Sequence, residues 1–293
     1  MVSPGQHHTG HGPATVARYY DRNTRRFLVL GNPGGSYAIH RRLWGPGVRT
    51  AREASAYING ILEEELREEA EAPLRKILDL GCGVGGTVFH LARAFPDSRL
   101  HGITISPRQL EMARELSGRE GLEGRCSFTL GDFETTRIAD EADAAVAVES
   151  FVHSQAPETF FRAAAHQLRP GGRLMVADDL LAEDEEELDS DQRRWVKDFR
   201  RGWRLTSLVS VRRFREAAEA QGFTVVRSRE LTPLIRVNRL RDRLLAAAAP
   251  ALRRLPSDRL PFVGNLVGGN ALRQGLRDGF IQYRCWTLEN SRP

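Results

Sequence analysis

The sequence has little of what marks a secreted, metal-binding or membrane-spanning protein. Its three cysteines, Cys82, Cys126 and Cys285, lie far apart and match neither a zinc-ligand spacing nor a disulfide framework. No apolar run approaches the roughly 20 residues that cross a bilayer. Residues 1–14 are polar and lack the apolar centre of a secretory signal. These absences predict a cytoplasmic protein with no transmembrane segment and with a disordered tail over residues 1–14.

Lysine is also scarce. Lys76 and Lys197 are the only lysines among 43 basic residues, and the formal net charge is +5. A basic balance is typical of proteins that bind nucleic acid, an anionic membrane surface or a phosphorylated substrate. Codon bias in a GC-rich genome gives the same arginine-rich composition without implying any partner. Composition therefore leaves the partner open, and only local clusters can indicate one.

From residue 73 onwards, short apolar runs alternate with helical patterns. Alternation at these spacings is typical of βαβ units, which form a parallel sheet with right-handed crossovers. The sequence therefore predicts a doubly wound α/β fold around a seven-stranded, mostly parallel sheet. The predicted strands are residues 76–80, 99–105, 126–130, 142–148, 173–177, 223–229 and 280–288.

Helical patterns precede and interrupt this alternation. Residues 15–72 contain two predicted helices, 15–30 and 50–69, and form a predicted lid ahead of a domain that spans 73–293. Two insertions, about 183–207 and 233–277, are rich in arginine and predict a helical cap. Within the second, residues 234–255 suit an amphipathic helix, which leaves transient contact with a membrane surface open. A homo-oligomer is left open in the same way.

A glycine-rich turn follows the first predicted strand. The segment reads L-D-L-G-C-G-V-G-G, and Asp79 precedes the first glycine by two residues. Glycine at positions 81 and 83 removes the Cβ atoms, so that a ligand can lie against the main chain. The following helix presents N–H groups that suit a carboxylate or a phosphate. Dinucleotide-binding folds use a similar turn, but Asp79 with Gly81 and Gly83 resembles the first motif of class I S-adenosylmethionine-dependent methyltransferases.

The end of the second predicted strand fits the same resemblance. Residues 102–109 read G-I-T-I-S-P-R-Q, without the acid that holds the ribose in most relatives and in NAD sites. The pattern resembles a variant found in cyclopropane synthases, sterol methyltransferases and prenyl-diphosphate C-methyltransferases. This resemblance implies that Thr104 and Gln109 hold the ribose of the cofactor in place of that acid.

Two further segments extend the resemblance over residues 76–180. Gly131-Asp132-Phe133 closes the third predicted strand, and the resemblance implies that Asp132 accepts from the adenine amino group while Phe133 packs on the ring. Residues 168–174 read L-R-P-G-G-R-L, the turn that precedes the fifth strand in this family. The resemblance therefore implies S-adenosyl-L-methionine as the cofactor and a Rossmann-like fold.

Candidate catalytic residues follow the fourth predicted strand. Enzymes that methylate amino groups of DNA or RNA carry Asn or Asp-Pro-Pro-aromatic here, and this chain has E-S-F-V-H, so no nucleic-acid substrate is predicted. The segment resembles the small-molecule branch. Resemblance to prenyl-diphosphate C-methyltransferases implies that Glu149 is the general base. His153 is the alternative base, and in an O- or N-methyltransferase it would be the favoured one.

The N-terminal segment resembles the lid of this branch. The resemblance implies that Tyr20 contacts the cofactor and that Tyr19, His40 and Trp44 face the substrate. A lid excludes water and holds the reacting groups together. Packing of Tyr20 and Trp44 in the core is the alternative interpretation.

Residues 193–204 interleave arginines with aromatic side chains. Arg200 and Trp203 would suit a substrate with an anionic head and an apolar tail, because guanidinium groups bind diphosphate through two hydrogen bonds. A solvated helix face is the alternative. No carboxylate cluster predicts a metal site, and Mg²⁺ would be needed only for a diphosphate substrate.

The leading hypothesis is C-methylation of an alkene of an isoprenoid, with a prenyl diphosphate as one candidate substrate. Such a reaction creates a carbocation, which needs aromatic faces to stabilise it and a base to remove a proton. The alternative is an O- or N-methyltransferase of an apolar natural product. A binding protein that keeps the fold without turnover, and a nucleic-acid binder that relies on arginine, are further alternatives.

Overall fold

The described part of the chain is organised around one seven-stranded sheet. The computed structural model describes residues 17–18, 21, 37, 40–69, 72–237 and 261–292, without the side chains of residues 261 and 262. The strands are β1 (Lys76–Leu80), β2 (Arg99–Thr104), β3 (Cys126–Leu130), β4 (Ala142–Val148), β5 (Leu168–Leu181), β6 (Phe223–Glu230) and β7 (Ile281–Asn290). Their order is β3-β2-β1-β4-β5-β7-β6. Strands β1 to β5 are parallel, and β7 runs antiparallel to both β5 and β6. This confirms the predicted seven-stranded, mostly parallel sheet.

Helices cover both faces of the sheet. In chain order they are α1 (Ala51–Glu69), α2 (Gly86–Ala94), α3 (Pro107–Arg119), α4 (Pro157–Ala165), α5 (Ser190–Trp203), α6 (Val211–Ala220) and α7 (Pro261–Asp278). Local sequence explains where several of them begin. The Ser106 side chain accepts from the Gln109 backbone N–H at the start of α3, and Asp189 forms a capping box with Gln192 at the start of α5.

Burial along the strands follows their place in the sheet. Six of the seven residues of the central strand β4 are buried, as expected for a parallel strand covered on both faces. Only one of the eight residues of the edge strand β6 is buried. Behind the end of β4, Phe151 packs edge-on against Phe160 and Phe214, with ring centroids 5.1 and 5.0 Å apart. This aromatic packing anchors the turn that follows β4.

Strand β5 is longer than the predicted strand 173–177. It reaches Leu181 because β7 pairs with it from Arg173 to Leu181, with Asp178 opposite Arg284 and Asp179 opposite Tyr283. The ladder to β7 continues past the two adjacent acids that follow the predicted strand. The acids are therefore held on a rigid strand at the carboxyl edge of the sheet.

Helices α5 and α7, from the two predicted insertions, cross each other over the same edge. A Cβ on Gly202 would lie 2.5 Å from the Gly264 carbonyl oxygen, so the helices approach closely at their glycines. Most of the predicted helix 15–30, and residues 238–260 of the second insertion, lie outside the described residues. Among the helices that the structure describes, none is long and apolar enough to cross a membrane.

Candidate active site

A cavity of about 370 Å³ lies at the carboxyl ends of the parallel strands. The turns after β1, β2, β3 and β4, together with the last residues of β5, form its floor and sides, and residues from α5 and α7 lie across from them. In open α/β sheets, ligands bind outside the carboxyl ends of the strands, where adjacent connections diverge. The cavity is therefore the candidate site, and its walls hold most of the described residues that the sequence singled out.

The turn after β1 gives a ligand direct access to the main chain. Gly81 has a φ of +106°, and a Cβ there would lie 2.5 Å from the Cβ of Ser150. Gly83 has a φ of +55°, and a Cβ there would meet only the side-chain nitrogen of Gln109, at 4.0 Å. Position 81 thus needs glycine for packing. At position 83 the absent Cβ leaves open space inside the cavity, where a ligand can approach the backbone.

Asp79 lies in β1 beneath this turn and does not itself line the cavity. It is 4% exposed, and burial raises the pKa of its carboxyl group to about 7. A cationic group bound above the turn would favour the ionised carboxylate.

Thr104 and Gln109 lie together on the opposite side of the glycine turn. The Thr104 hydroxyl donates to Gln109 Oε1 at 2.8 Å, and both side chains are buried at the cavity wall. Because that oxygen is occupied, the Gln109 amide nitrogen is the group left to face the cavity near Gly83. The pair that the sequence predicts to replace the ribose-binding acid is thus assembled, with its donor directed at the cavity.

Asp132 and Phe133 line the cavity after β3, together with an acid that the sequence analysis missed. Asp132 Oδ1 accepts from the Glu134 backbone N–H at 2.9 Å, and Phe133 packs edge-on against Phe160. Glu134 accepts from the Gln155 N–H, and burial raises the pKa of its carboxyl group to about 7. No sequence motif marks Glu134, which reaches the cavity because the turn after β3 folds back on Asp132.

Glu149 stands at the end of β4 in a strained backbone conformation. Its φ is +52°, uncommon for a residue other than glycine, while its N–H still donates to the Ala177 carbonyl. Its Oε1 accepts from the Arg41 backbone N–H at 2.7 Å and from the Tyr283 hydroxyl at 3.2 Å. Because both donors converge on Oε1, Oε2 has the capacity to accept a proton from a ligand.

An ion pair between Arg41 and Asp179 holds residues 40–45 against the part of the cavity that contains Glu149. The Arg41 guanidinium binds both oxygens of Asp179 and lies 4.8 Å from the centre of the Tyr283 ring. Burial alone would lower the pKa of Arg41, but Asp179 raises it above its ordinary value. Next to this pair, burial and Asp179 raise the pKa of Asp178 well above its ordinary value. Arg41 thereby ties residues 40–45 to the sheet.

Two histidines, His40 and His153, also line the cavity. His40 Nε2 lies 2.8 Å from the Thr87 hydroxyl, whose proton goes to Asn59 Oδ1. His40 Nε2 must therefore carry the ring proton. Burial lowers the pKa of His40, and it lowers the pKa of His153 to about 4. Both imidazoles are neutral near pH 7 and able to accept a proton.

The shifted pKa of His153 makes the free energy of unfolding depend on pH. Between the folded value of about 4 and the ordinary value of 6.5, the unfolded chain binds a proton that the folded chain does not. Stability should therefore fall as the pH drops below 6.5, by about 2 kcal/mol between pH 7 and pH 5 from this residue. Urea unfolding at both pH values should show a smaller loss for His153→Gln than for the wild type. An equal loss in the two proteins would contradict the shift.

Of the remaining predicted site residues, some line the cavity and others do not. Trp203 lines the cavity. Trp44 does not, and the Arg236 guanidinium lies 3.7 Å from the centre of its ring. Arg200 does not either. Tyr19 and Tyr20 lie outside the described residues.

The sequence analysis missed four residues around Glu149: Arg41, Asp178, Asp179 and Tyr283. Adjacent acids near the end of a buried strand were a usable signal for two of them, because ligand-binding groups collect at carboxyl ends. Arg41 lies next to the predicted lid residue His40 but was not itself singled out, and Tyr283 carries no comparable local signal. No group of three or more His, Cys, Asp or Glu that could hold a metal ion occurs within the described ranges.

Comparisons with known proteins agree with this geometry. Residues 77–172 match a family model described as a methyltransferase domain. The methyltransferase GfsG of Streptomyces halstedii is 40% identical over 119 residues, which cover 40% of this chain and 42% of that protein. Sterol 24-C-methyltransferase erg6 of Aspergillus fumigatus is 30% identical over 157 residues, covering 53% and 41%. The chain thus matches less than half the length of either relative.

Solved structures extend the likeness to nearly the whole chain. A geranyl diphosphate methyltransferase in complex with GPP and sinefungin has a TM-score of 0.75 at 19% identity, covering 95% of this chain and 99% of that one. The [4+2]-cyclase SpnF has a TM-score of 0.70 at 21% identity, covering 95% and 96%. At such identities the likeness shows the fold alone. Residues 77–172 thus match a methyltransferase domain, and the described part of the chain has the class I methyltransferase fold.

Proposed function

We propose that the chain is an S-adenosylmethionine-dependent methyltransferase that methylates an alkene carbon of an apolar isoprenoid, with Glu149 as the general base. The observation that carries the proposal is the position of Glu149. Its carboxylate lines the same cavity as the glycine turn on one side and apolar residues of the cap on the other. A methyl donor on the turn and an acceptor under the cap would therefore meet beside it.

The residues present fit the cofactor. The open space at Gly83 allows a ligand to lie against the backbone, as the absent Cβ of the turn indicates. Gln109 offers a donor for the ribose, and the carboxyl group of Asp79, buried beneath the turn, would attract the positively charged methionine part of the cofactor from behind the main chain. Asp132 and Phe133 at the far wall suit the adenine.

Charge considerations assign a role to each side of the cavity. S-adenosylmethionine, when bound, supplies an electrophilic methyl group on a sulfonium centre. An alkene acceptor would use its π electrons to form the new C–C bond as the donor's C–S bond broke, and it would be left with a positive charge. Glu149 then removes a proton from the carbon next to that charge and restores a double bond.

The cap supplies the surroundings that a developing carbocation needs. Phe199 and Trp203 of α5 line the cavity, and Tyr37 lines it from the N-terminal segment. Aromatic faces stabilise a positive charge without offering a nucleophile that would trap it. Leu205 and Leu272 complete an apolar wall that excludes water.

O- or N-methylation of an apolar molecule is the second candidate, and His153 favours it. A neutral imidazole at the cavity wall can remove a proton from a hydroxyl or an ammonium group. The GfsG relative, described as a methyltransferase, and the sterol 24-C-methyltransferase relative support methyl transfer in general. The choice between Glu149 and His153 separates the two candidates.

The test is the mass of the product after incubation with S-adenosylmethionine and a panel of isoprenoid alkenes, isoprenoid alcohols and isoprenoid amines. A gain of one CH₂ unit on carbon, located by NMR, supports C-methylation. A gain on oxygen or nitrogen moves the assignment to the second candidate. Tight binding of S-adenosylhomocysteine without any methylated product would contradict both assignments while leaving the cofactor site in place.

A further inference from the structure

The carboxylate of Glu149 is held by two donors that come from distant parts of the chain. The Arg41 backbone N–H donates to Oε1 at 2.7 Å, and the Tyr283 hydroxyl donates to the same oxygen at 3.2 Å. Arg41 precedes the helix α1, whereas Tyr283 lies in β7, the last strand. Because both donors contact Oε1, they determine which carboxylate oxygen is left to take up a proton.

Tyr283 itself has little freedom to move. It is fully buried in β7, where its backbone N–H donates to Thr232 Oγ1 at 2.9 Å and its carbonyl accepts from the Leu231 N–H at 2.7 Å. The Arg41 guanidinium lies 4.8 Å from the centre of its ring. A group on a paired strand is placed more precisely than one on a loop. The Tyr283 hydroxyl is therefore a donor with a fixed position.

The Tyr283 hydroxyl also keeps its proton. Burial and the neighbouring charge of Glu149 raise the pKa of Tyr283 well above its ordinary value, so the hydroxyl remains a donor at and around neutral pH. Tyr283 is not among the residues that line the cavity. Its hydroxyl therefore acts on a bound molecule only through Glu149.

The backbone of Glu149 makes such support necessary. Its φ of +52° is a strained conformation for a residue other than glycine, and such a conformation persists only where the surrounding structure fixes it. On the main chain, the Glu149 N–H donates to the Ala177 carbonyl, and the next residue, Ser150, donates from its hydroxyl to the Leu80 carbonyl at 2.6 Å. The two donors to Oε1 complete this support at the side chain.

From this arrangement we infer that Tyr283 is a positioning residue for methyl transfer and acts through Glu149. The inference rests on the proposed function, because it takes Glu149 as the base. A hydroxyl that donates to a carboxylate favours its ionised form, and only the ionised form can remove a proton. By holding Oε1, Tyr283 also leaves Oε2 to take that proton. Packing of a buried aromatic ring is the alternative role, and phenylalanine would fill it equally well.

Other titratable and charged groups act on Glu149 and remain when the hydroxyl is removed. They are His40, Arg41, His153, Asp178 and Asp179. The charge of Arg41 acts on Glu149 as well as on its partner Asp179. Tyr283→Phe keeps the aromatic ring beside Arg41 and changes none of these groups. A change in the titration of Glu149 therefore measures the lost hydrogen bond.

The first test needs no acceptor. The full chain, with its glutamate carboxyl groups labelled with ¹³C, is titrated with acid and followed by NMR, and the signal of Glu149 is assigned by its loss in Glu149→Gln. We expect the midpoint of this titration to lie at higher pH in Tyr283→Phe than in the wild type, because the ionised carboxylate has lost a donor. Tyr57→Phe removes the hydroxyl of a tyrosine that does not line the cavity and should leave the midpoint unchanged. Equal midpoints in all three proteins would overturn the inference.

The second test is kinetic and uses the acceptor identified by product mass. Tyr283→Phe should lower kcat about tenfold and leave KM unchanged, since Tyr283 does not line the cavity. In the Glu149→Gln background it should cause no further loss, because glutamine cannot take up a proton however it is held. An equal loss in both backgrounds would assign Tyr283 to packing and overturn the inference. Full activity of Glu149→Gln would instead refute the proposed base and the inference with it, so the two failures are distinguished by which variant stays active.

Discussion

Replacing Glu149 by glutamine is expected to lower kcat by about a hundredfold or more, the range that general-base catalysis contributes. Glutamine keeps the shape of the side chain and can still accept hydrogen bonds from the Arg41 N–H and the Tyr283 hydroxyl through its amide oxygen. It cannot take up a proton. The variant should therefore bind S-adenosylhomocysteine with unchanged affinity while product formation, followed by mass spectrometry with a confirmed acceptor, nearly stops.

The matched control is Glu115→Gln. Glu115 lies on the exposed face of α3, pairs with Arg119 one helical turn away and is 60% exposed. The Glu115→Gln variant loses the same charge far from the cavity, and it should keep full activity. If Glu149→Gln retains more than about a tenth of the wild-type kcat, proton transfer to Glu149 is not part of the chemistry. A large loss in His153→Gln would then assign the base to the imidazole.

A methyl group added at position 83 is expected to weaken cofactor binding about a hundredfold, which corresponds to about 2.7 kcal/mol. The new Cβ of Gly83→Ala would meet only the Gln109 side-chain nitrogen at 4.0 Å, so the protein itself can accommodate it. It would occupy the open space in which the cofactor is proposed to lie against the turn. Calorimetric titration with S-adenosylhomocysteine measures the loss, and circular dichroism shows that the fold is kept.

Gly121→Ala controls for backbone strain. Gly121 has a φ of +65°, close to the +55° of Gly83, and a Cβ there would meet no atom within 4 Å. Both substitutions place alanine in the left-handed region, at a similar cost of about 1 kcal/mol in stability. Only the change at position 83 should affect the ligand. Equal affinities of the two variants for S-adenosylhomocysteine would place the cofactor elsewhere.

The glycine turn and the strands around it were predictable because their signals are local. A buried run followed by Gly81 and Gly83 specifies a sharp turn through the backbone freedom of glycine alone. Thr104 and Gln109 are five residues apart, on either side of the start of α3, so their hydrogen bond follows from the spacing. Each of these features depends on a few neighbouring residues, and the turn and the start of α3 lie where the sequence predicted them.

The arrangement of residues around Glu149 was not predictable in the same way. Tyr283 reaches Glu149 only because β7 runs antiparallel beside β5, which places Tyr283 opposite Asp179. The register of an antiparallel pair is set by packing and turn geometry over the whole sheet and has no local motif. A shift of one residue would turn the tyrosine to the other face of the sheet.

The arginines also differ in what the sequence predicted for them and where the tertiary structure places them. Arginine interleaved with aromatic residues in α5 predicted an anionic substrate, yet Arg200 pairs with Glu185, and Trp203 lines the cavity. Arg41 lies between the predicted lid residues His40 and Trp44, is 138 residues from Asp179 in sequence and binds it directly. The sequence by itself determined the sheet and the glycine turn, because glycine conformation and strand periodicity act over short spans. Only the tertiary structure decided which charges line the cavity, because long side chains pair with the partners that the fold brings close to them.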